Sequence, residues 1–393
     1  MKNIYLDGAA NTPLDPKVFR AMKPFLSKKF VGNSFAIHEY GINAMRIIED
    51  ARSRIADVMG FDPDEIFFTS GATESNNWVL KSIALKEYLK CQKNSSDIGV
   101  KKHLIVSKIE HSSIMSTCKF LEEFGFDITY LSPNASGQIT YNAVKKALRP
   151  DTLMVCIMAV NNETGATNAI NAIGSLVHKN GSLMFSDCTQ LVSLGGVCIK
   201  LGLHSNVDYF SFSSHKIYGP TGVGCLIARK GSPLYQFMHG GGQESGLRAG
   251  TSNTAAIVGM AKAVELMQGK NYKSHYIELY NYLLSLLDKN FKNEVRLNAY
   301  NGSPNIMSIN LSKILPNSST SAAAQLSAVG VACSAGSACD SLTGEEGVPS
   351  HVLVAQGLSL KSIHMTVRVS FTKYTTKHDI KIFINRLLKL KEN

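Results

Sequence analysis

The segment from residue 211 to 224 contains the lysine with the most informative chemical surroundings in the chain. Its sequence is SFSSHKIYGPTGVG, so Lys216 follows small hydroxyl residues and a histidine and precedes a glycine-rich run. An isolated lysine after a strand is usually exposed, because charged side chains are mostly found at protein surfaces. A lysine enclosed by Ser213, Ser214 and His215 is instead a candidate nucleophilic amine, able to hold an aldehyde cofactor as a Schiff base. The other polar clusters of the chain decide between these two interpretations.

Two of these clusters follow predicted strands in the first half of the chain. The turn TSGATESNN at residues 69–77 opens a helix, and its free N–H groups with the Thr73 hydroxyl could cradle a phosphate. A capped helix start without a ligand would have the same sequence. His111, in the segment IEHSS, could stack on a flat cofactor ring or handle a proton, and it could equally be an ordinary loop histidine.

Three further segments could complete a site for a pyridine-based cofactor. The amides of the turn NNETG at 161–165 could bind a phenolate oxygen, or form only a polar turn. Asp187 ends an apolar strand, where a lone carboxylate is costly, and a pyridinium nitrogen would supply the missing positive partner. Gln190 could reach the ring oxygen on the opposite side. Thr251 ends the glycine-rich run GGGQESGLRAGT and is a plausible phosphate ligand.

The elements that would position these groups alternate between strand and helix from residue 60 to 230. Short apolar strands, such as the continuous apolar run at 153–159, are followed by segments of helical spacing, which predicts a parallel or mixed sheet wrapped by helices. After residue 255 the pattern changes to long amphipathic helices and a few short strands, which indicates a smaller α+β domain. We therefore expect a large domain at 13–255 and a small domain formed by 1–12 and 256–393.

The motifs follow one another along the chain in an order that resembles the cysteine desulfurases of the NifS/IscS type, and the resemblance covers the whole chain. These enzymes form part of class V of the fold-type I enzymes that depend on pyridoxal 5′-phosphate (PLP). The resemblance extends from YLDGAANTP at 5–13, through GNSFAIHEYG at 32–41, to TVRVSF at 366–371. It implies a large domain with a mostly parallel seven-stranded sheet between helices, a smaller α+β domain and an obligate homodimer.

The resemblance also implies a role for each matching residue. Lys216 would hold the cofactor, His111 would stack on its ring and handle a proton, and Arg368 would clamp the substrate carboxylate, with Asn33 a weaker candidate for the same pocket. The remaining expected cofactor ligands are Asp187 for the pyridine nitrogen, Asn162 and Gln190 for the ring oxygen, Ala72, Thr73, Ser213 and His215 for the phosphate, and Thr251 for the phosphate of the neighbouring subunit.

The segment VACSAGSACDS at 331–341 distinguishes the desulfurases within class V. By position, Cys339 matches the nucleophilic cysteine that these enzymes place on a mobile loop, here expected at about 332–348. The resemblance implies that Cys339 takes sulfur from L-cysteine as a persulfide, L-alanine is released, and the sulfur passes to an acceptor protein. The acceptor could serve iron–sulfur cluster assembly, tRNA thiolation or sulfur modification of DNA. Cys333 has no matching role and is expected to be structural.

Two alternatives remain open: a selenocysteine lyase or other class V aminotransferase-type enzyme, and a scaffold that has lost catalysis. An aminotransferase would not need Cys339, whereas Lys216, Asp187 and His111 together argue against a scaffold. The longest uninterrupted apolar run, 153–160, is too short to span a bilayer, and the first residues lack an apolar signal region, so we expect a cytoplasmic protein without membrane association.

The net charge limits the expected classes of partner, and the cysteine spacing limits the expected disulfide and metal chemistry. The formal charge of +11 favours anionic ligands or acidic protein partners, but the lysines are dispersed, so direct nucleic-acid binding is not expected. The eight cysteines form no CxxC pair, which argues against a disulfide framework and against a structural metal site.

Overall fold

The computed structural model describes residues 3–28, 30–94, 102–195, 206–268, 272–315, 320–336 and 349–392. The strands are β1 (Ile4–Tyr5), β2 (Ile66–Thr69), β3 (His103–Ser107), β4 (Asp127–Leu131), β5 (Thr152–Cys156), β6 (Leu183–Asp187), β7 (Tyr209–Ser213), β8 (Gly224–Ala228), β9 (Arg296–Leu297), β10 (Ile306–Asn310), β11 (Val331–Ala332) and β12 (Thr366–Ser370). The helices are α1 (Pro16–Met22), α2 (Glu39–Met59), α3 (Ala72–Asn94), α4 (Ser112–Glu122), α5 (Tyr141–Ala147), α6 (Ile170–Lys179), α7 (Thr189–Val192), α8 (Thr254–Met267), α9 (Tyr272–Phe291), α10 (Ala322–Ala328), α11 (His351–Ala355), α12 (Leu360–His364) and α13 (Lys377–Glu392).

Seven of the described strands form the main sheet, in the order β2-β8-β7-β6-β5-β3-β4. Strands β4, β3, β5, β6 and β7 are parallel to one another, whereas β8 pairs antiparallel with both β7 and β2. This arrangement confirms the predicted α/β fold with a mostly parallel sheet. Strand β8 begins directly after the glycine-rich turn that follows Lys216.

The sheet is buried on both faces because alternate residues of each strand enter different cores. In β3, Ile105 packs into the core that also contains residues of α2, α6 and α8. Its neighbours Leu104 and Val106 pack on the opposite face with residues of α3 and α4. Burial on both faces explains why the strands predicted from the sequence are continuous apolar runs.

A second unit contains β9, β10 and β12, which form a three-stranded antiparallel sheet. Its core also includes apolar residues of α9 and α13, together with Ile4 and Leu6 from the start of the chain. This is the smaller α+β unit expected from the sequence.

The expected boundary at residue 255 needs correction, because α8 packs in the core of the large unit. Ile257, Met260 and Val264 are buried there against residues of α2 and the main sheet. An amphipathic pattern shows that a helix buries one face but not which core receives it. We therefore place the boundary after Met267.

None of the helices within the described ranges combines the length and the apolar character needed to cross a membrane.

Candidate active site

A cavity of about 180 Å³ lies at the carboxyl ends of the parallel strands, where α/β sheets commonly bind ligands. Its wall brings together the lysine, aspartate, histidine and arginine that the sequence analysis singled out. The lining residues are Ala9, Ala10, Ala72, Thr73, His111, Met158, Val160, Asn162, Asp187, Thr189, Gln190, Ser213, His215, Lys216 and Arg368. A larger cavity of about 430 Å³ surrounds Arg52 and Glu244, but it contains none of these predicted residues. Side-chain chemistry, and not size, identifies the candidate active site.

Lys216 belongs to the short 3₁₀ turn that follows β7, and its amine enters this cavity. The Nζ atom donates hydrogen bonds of 2.6 Å to the carbonyl oxygens of Ala9 and Ala10. The N-terminal segment also holds the turn itself, because Thr12 donates its hydroxyl to the carbonyl oxygen of His215 at 2.7 Å. The amine is therefore fixed at the wall of the cavity and does not extend into bulk solvent.

His215 precedes this lysine and also lines the cavity. Burial, followed by the positive charge of Lys216, lowers the pKa of His215 to about 4. The imidazole is consequently neutral at neutral pH, and it offers one N–H donor to an anionic ligand.

Asp187 lies at the end of β6 and is 5% exposed. One carboxylate oxygen accepts from the backbone N–H of Thr189 at 2.9 Å, and the other accepts from Nδ2 of Asn76 at 3.0 Å. Neither donor is charged, and Asp187 forms no ion pair within the described part of the chain. A buried carboxylate surrounded in this way matches a cationic ring nitrogen.

Gln190 gives a second indication that the cavity is shaped for a ligand. Its Nε2 donates to the carbonyl oxygen of Ala9 at 3.0 Å. Its Oε1 is buried and has no hydrogen-bond partner among the residues for which the structure gives positions. Buried polar atoms in native proteins are normally paired, so this oxygen is available to a ligand bound in the cavity.

The turn before α3 lies opposite Ser213 and in close contact with the backbone of β8. Ser213 Oγ accepts from the N–H of Ala72 at 2.8 Å. A Cβ atom added to Gly224 of β8 would lie 2.4 Å from the Cα atom of Gly71, so the strand approaches the turn as closely as backbone allows. Thr73 follows in the first turn of α3 and lines the cavity.

Asn162 reaches the cavity because its neighbour holds the turn. Asn161 is fully buried, and its Oδ1 accepts from the backbone N–H groups of Glu163 and Thr164 at 3.0 and 2.8 Å. This side-chain-to-backbone turn fixes the loop after β5. The side chain of Asn161 is thus structural, while Asn162 remains at the cavity wall.

Arg368 comes from β12 in the small unit, and its guanidinium closes the cavity from that side. Its Nη2 donates to Oδ1 of Asp7 at 2.7 Å and to Oγ of Ser334 at 3.1 Å, and its Nη1 donates to the carbonyl oxygen of Asn162 at 2.8 Å. The Nε atom is buried without a partner in the described residues. An unpaired guanidinium N–H beside a cavity is suited to bind a carboxylate.

Two predicted residues that the structure describes do not line this cavity. Asn33 and Thr251 are exposed and are not among its lining residues. Cys339 and most of its expected loop lie outside the described residues. Cys333 is described, and burial, followed by the charge of Asp7, raises the pKa of its thiol to about 12.

Sequence reasoning missed the buried groups behind the cavity. Asn76 in α3 and Ser113 in α4 connect Asp187 to His111 through hydrogen bonds. Glu110, the residue before His111, is fully buried. Polar residues at these positions are a weak signal, because helix starts and turns favour Asn, Ser and Glu in any case.

Within the described ranges, no group of three or more His, Cys, Asp or Glu side chains could hold a metal ion. A lysine amine, a buried aspartate with uncharged partners and a helix start around one cavity instead fit an aldehyde cofactor with a pyridine ring and a phosphate. This fold and this site define a PLP-dependent enzyme of fold-type I.

Comparison with known proteins gives the family. The aminotransferase class-V family matches residues 4–383. A cysteine desulfurase IscS from Dictyoglomus turgidum is 38% identical over 395 residues, which covers 100% of this chain and 95% of that protein. The chain therefore belongs to the aminotransferase class-V family, among the relatives of the cysteine desulfurase IscS.

Solved structures agree with this assignment. A NifS-like protein superposes with a TM-score of 0.86 at 32% identity and covers 100% of both chains. A structure of SspA in complex with cysteine has a TM-score of 0.76 at 34% identity, covering 95% of this chain and 100% of that one.

Proposed function

We propose that this protein is a PLP-dependent cysteine desulfurase that removes sulfur from L-cysteine, releases L-alanine and passes the sulfur to an acceptor protein. The observation that supports it most is the meeting of Lys216, Asp187 and Arg368 at one cavity, in a chain that resembles the cysteine desulfurase IscS over its whole length.

When bound, PLP condenses with amines and withdraws electrons from the carbon that carries the amine. Asp187 would hold the ring nitrogen, His111 would cover the ring, and Asn162 and Gln190 would flank the ring oxygen. The phosphate would lie at the start of α3, bound by Ala72, Thr73, Ser213 and neutral His215.

Lys216 would hold the cofactor and, once released by the substrate, would act as the base of the reaction, because its amine lies at the cavity wall. Nζ would then remove the proton from the α-carbon of the substrate. The carbonyl oxygens of Ala9 and Ala10 hold the free amine beside the cavity.

Arg368 would orient the substrate by its carboxylate, using the buried Nε–H that has no partner within the described residues. Asp7 and the carbonyl oxygen of Asn162 hold the other guanidinium nitrogens in place. Asn33 remains a weaker candidate for substrate binding.

Cys339 would carry the sulfur. Its thiolate attacks the substrate sulfur, a sulfur–sulfur bond forms, and the carbon–sulfur bond of the substrate breaks with its electron pair remaining on carbon. Protonation of that carbon, together with the return of a proton to the α-carbon, gives L-alanine, and Cys339 retains the persulfide for the acceptor. A sulfur-carrier or scaffold protein with an acidic face would match the net charge of +11.

The central experiment measures L-alanine and protein-bound persulfide formed from L-cysteine. We expect Cys339→Ala to abolish persulfide and alanine formation, whereas the control Cys333→Ala keeps both, because the pKa of Cys333 near 12 leaves little thiolate. Lys216→Ala should lose the visible absorption of the bound cofactor. Undiminished alanine formation by Cys339→Ala would refute the persulfide route and favour a selenocysteine lyase, whereas a wild type that forms no alanine from L-cysteine would favour an aminotransferase.

We also propose a homodimer in which Thr251 binds the phosphate in the partner's cavity, supported by its exposure and its place outside the cavity of its own chain. Hybrid dimers of Lys216→Ala and Thr251→Ala chains test this arrangement. If Thr251 acts across the interface, the hybrid regains one intact site and measurable activity, whereas each homodimer is impaired. A hybrid no more active than the Thr251→Ala homodimer would mean that Thr251 serves its own chain.

The acceptor pathway and the cytoplasmic location remain predictions from the sequence. Labelled sulfur from L-cysteine, followed into proteins that copurify with the native enzyme, would identify the acceptor.

A further inference from the structure

A continuous series of hydrogen bonds runs behind the candidate active site from Asp187 to His111. Asn76 Nδ2 lies 3.0 Å from Oδ2 of Asp187 and 2.9 Å from Oγ of Ser113. Ser113 Oγ in turn lies 2.8 Å from Nδ1 of His111. Ser211 completes the set by donating its hydroxyl to Oδ1 of Asn76 at 2.6 Å. Asn76 and Ser211 are fully buried, so water does not compete for these bonds.

The chemistry of each atom fixes the direction of the hydrogen bonds. The amide nitrogen of Asn76 donates one of its two hydrogens to Oδ2 of Asp187. That nitrogen has a second hydrogen, which it donates to Ser113 Oγ. Ser113 Oγ accepts this bond, which leaves its own hydroxyl hydrogen available for Nδ1 of His111.

The backbone supplies an independent constraint on the same ring nitrogen. The N–H of Ser113 donates to Nδ1 of His111 at 3.1 Å, in the arrangement by which His111 caps α4. A backbone N–H cannot accept a hydrogen bond, so Nδ1 of His111 carries no proton here. The neutral imidazole consequently holds its single proton on Nε2.

We propose that Ser113, oriented by Asn76, is a positioning residue that fixes His111 as the Nε2–H tautomer, so that Nε2 presents a hydrogen-bond donor to the bound ligand and offers no basic nitrogen there. The inference rests on the proposed function, because it assigns the role of His111 at the same site. It separates two roles: Lys216 removes the α-proton, and the Nε2–H of His111 donates a hydrogen bond. Because Asn76 also contacts Asp187, a single buried amide orients both the ring-nitrogen partner and this hydrogen-bond donor.

The direct test is the protonation state of the two ring nitrogens of His111 in the PLP-loaded protein. Long-range ¹H–¹⁵N correlation spectra of ¹⁵N-histidine-labelled protein distinguish a protonated from an unprotonated ring nitrogen, and comparison with His111→Gln assigns the signals. We expect an unprotonated Nδ1 and a protonated Nε2 in the wild type.

Substitutions of Ser113 connect this signature to the reaction. Ser113→Ala removes one of the two donors to Nδ1 and keeps the backbone N–H, so it should weaken the preference of His111 for the Nε2–H tautomer and lower kcat for alanine formation about five- to tenfold, the effect of one lost orienting hydrogen bond. KM for L-cysteine should not change, because Arg368 binds the substrate. Ser113→Thr keeps the hydroxyl and should restore the wild-type spectrum and rate. Ser116→Ala removes an exposed hydroxyl from the same helix and is the matched control, expected to have no effect.

A protonated Nδ1 in the wild type, or His111 signals that do not respond to Ser113→Ala, would overturn the proposal. Neither result would affect the desulfurase assignment, which depends on alanine and persulfide formation by the wild type. A wild type that forms no alanine while His111 is the Nε2–H tautomer would instead refute the proposed function.

Discussion

Glu110 is the residue before His111, and its side chain is completely shielded from solvent. One carboxyl oxygen accepts from the hydroxyl of Ser107 and from the backbone N–H of Met158, both at 2.7 Å. The other oxygen is buried and has no partner in the described chain. Burial, together with the nearby charge of Asp187, raises the pKa of Glu110 from 4.5 to about 8. This carboxyl therefore keeps its proton at neutral pH and positions the loop that carries His111.

We predict that Glu110 makes the protein less stable as the pH rises from about 5 to 8. The native carboxyl stays protonated up to about pH 8, while the unfolded chain loses the proton near 4.5, so the native state binds more protons in this window. Stability therefore falls with rising pH, by up to about 1.4 kcal/mol per pH unit. Glu110→Gln preserves the accepting oxygen, and its unfolding free energy should fall less steeply over the same window. Parallel pH profiles for the two proteins would contradict the assigned pKa.

At the scale of whole elements, two bidentate ion pairs hold the glycine-rich segment 240–250 in place. Arg52 of α2 binds the carboxylate of Glu244 at 2.9 and 3.0 Å, and that carboxylate also accepts from the backbone N–H of Phe68 in β2. Arg248 binds Glu74 of α3 in the same way, at 2.6 and 2.9 Å. These bonds tie the segment to the turn that would bind the phosphate.

The same segment has backbone conformations that require such support. Glu244 and Ser245 have φ angles of 48° and 58°, in the left-handed region that non-glycine residues rarely occupy. Such conformations persist only where surrounding contacts enforce them. The ion pairs therefore set the path of the chain towards Thr251.

We predict that Glu244→Gln lowers the free energy of unfolding by about 3 kcal/mol, because it removes the carboxylate from a buried guanidinium. The side chains of Arg52 and Glu244 are only 11% and 5% exposed. The pair between Arg149 and Asp127 is exposed, with 39% of the Arg149 side chain and 62% of the Asp127 side chain accessible to solvent. Asp127→Asn breaks this pair and should change the free energy of unfolding by less than about 1 kcal/mol. Chemical denaturation of both variants measures the difference. Equal losses would show that burial does not decide the strength of these pairs.

At the scale of the whole molecule, the cavity requires both units, because Lys216 belongs to the large unit and Arg368 to the small one. A cluster around Lys373 joins them. Its ammonium pairs with Asp15 and lies 4.1 Å from the ring centroid of Tyr218, while its backbone N–H donates to the hydroxyl of Tyr218 at 2.6 Å. Tyr218 packs in the large core but also bonds the hydroxyl of Tyr276, from the small core, at 2.9 Å.

We predict that Tyr218→Phe loosens the docking of the two units. It leaves the backbone N–H of Lys373 and the hydroxyl of Tyr276 without this partner, at a cost on the order of 1–3 kcal/mol in unfolding free energy. KM for L-cysteine should rise severalfold, because the distance between Arg368 and Lys216 is no longer fixed, while cofactor absorption is retained. Tyr374→Phe removes a more exposed hydroxyl and should leave KM unchanged. An unaltered KM in Tyr218→Phe would show that this cluster does not control the cavity.

The amino-acid sequence by itself determined the alternating strands and helices and the order of the polar motifs after them. Hydrophobic periodicity and turn chemistry are local properties, and the motifs at Lys216, Asp187 and His111 are confined to short segments. Only the tertiary structure decided that α8 belongs to the large core, that β8 runs antiparallel, and that Arg368 reaches the same cavity as Lys216. It also revealed the links through Asn76 and Ser113. These features depend on which buried surfaces pack together in the folded chain, and no local pattern encodes that choice.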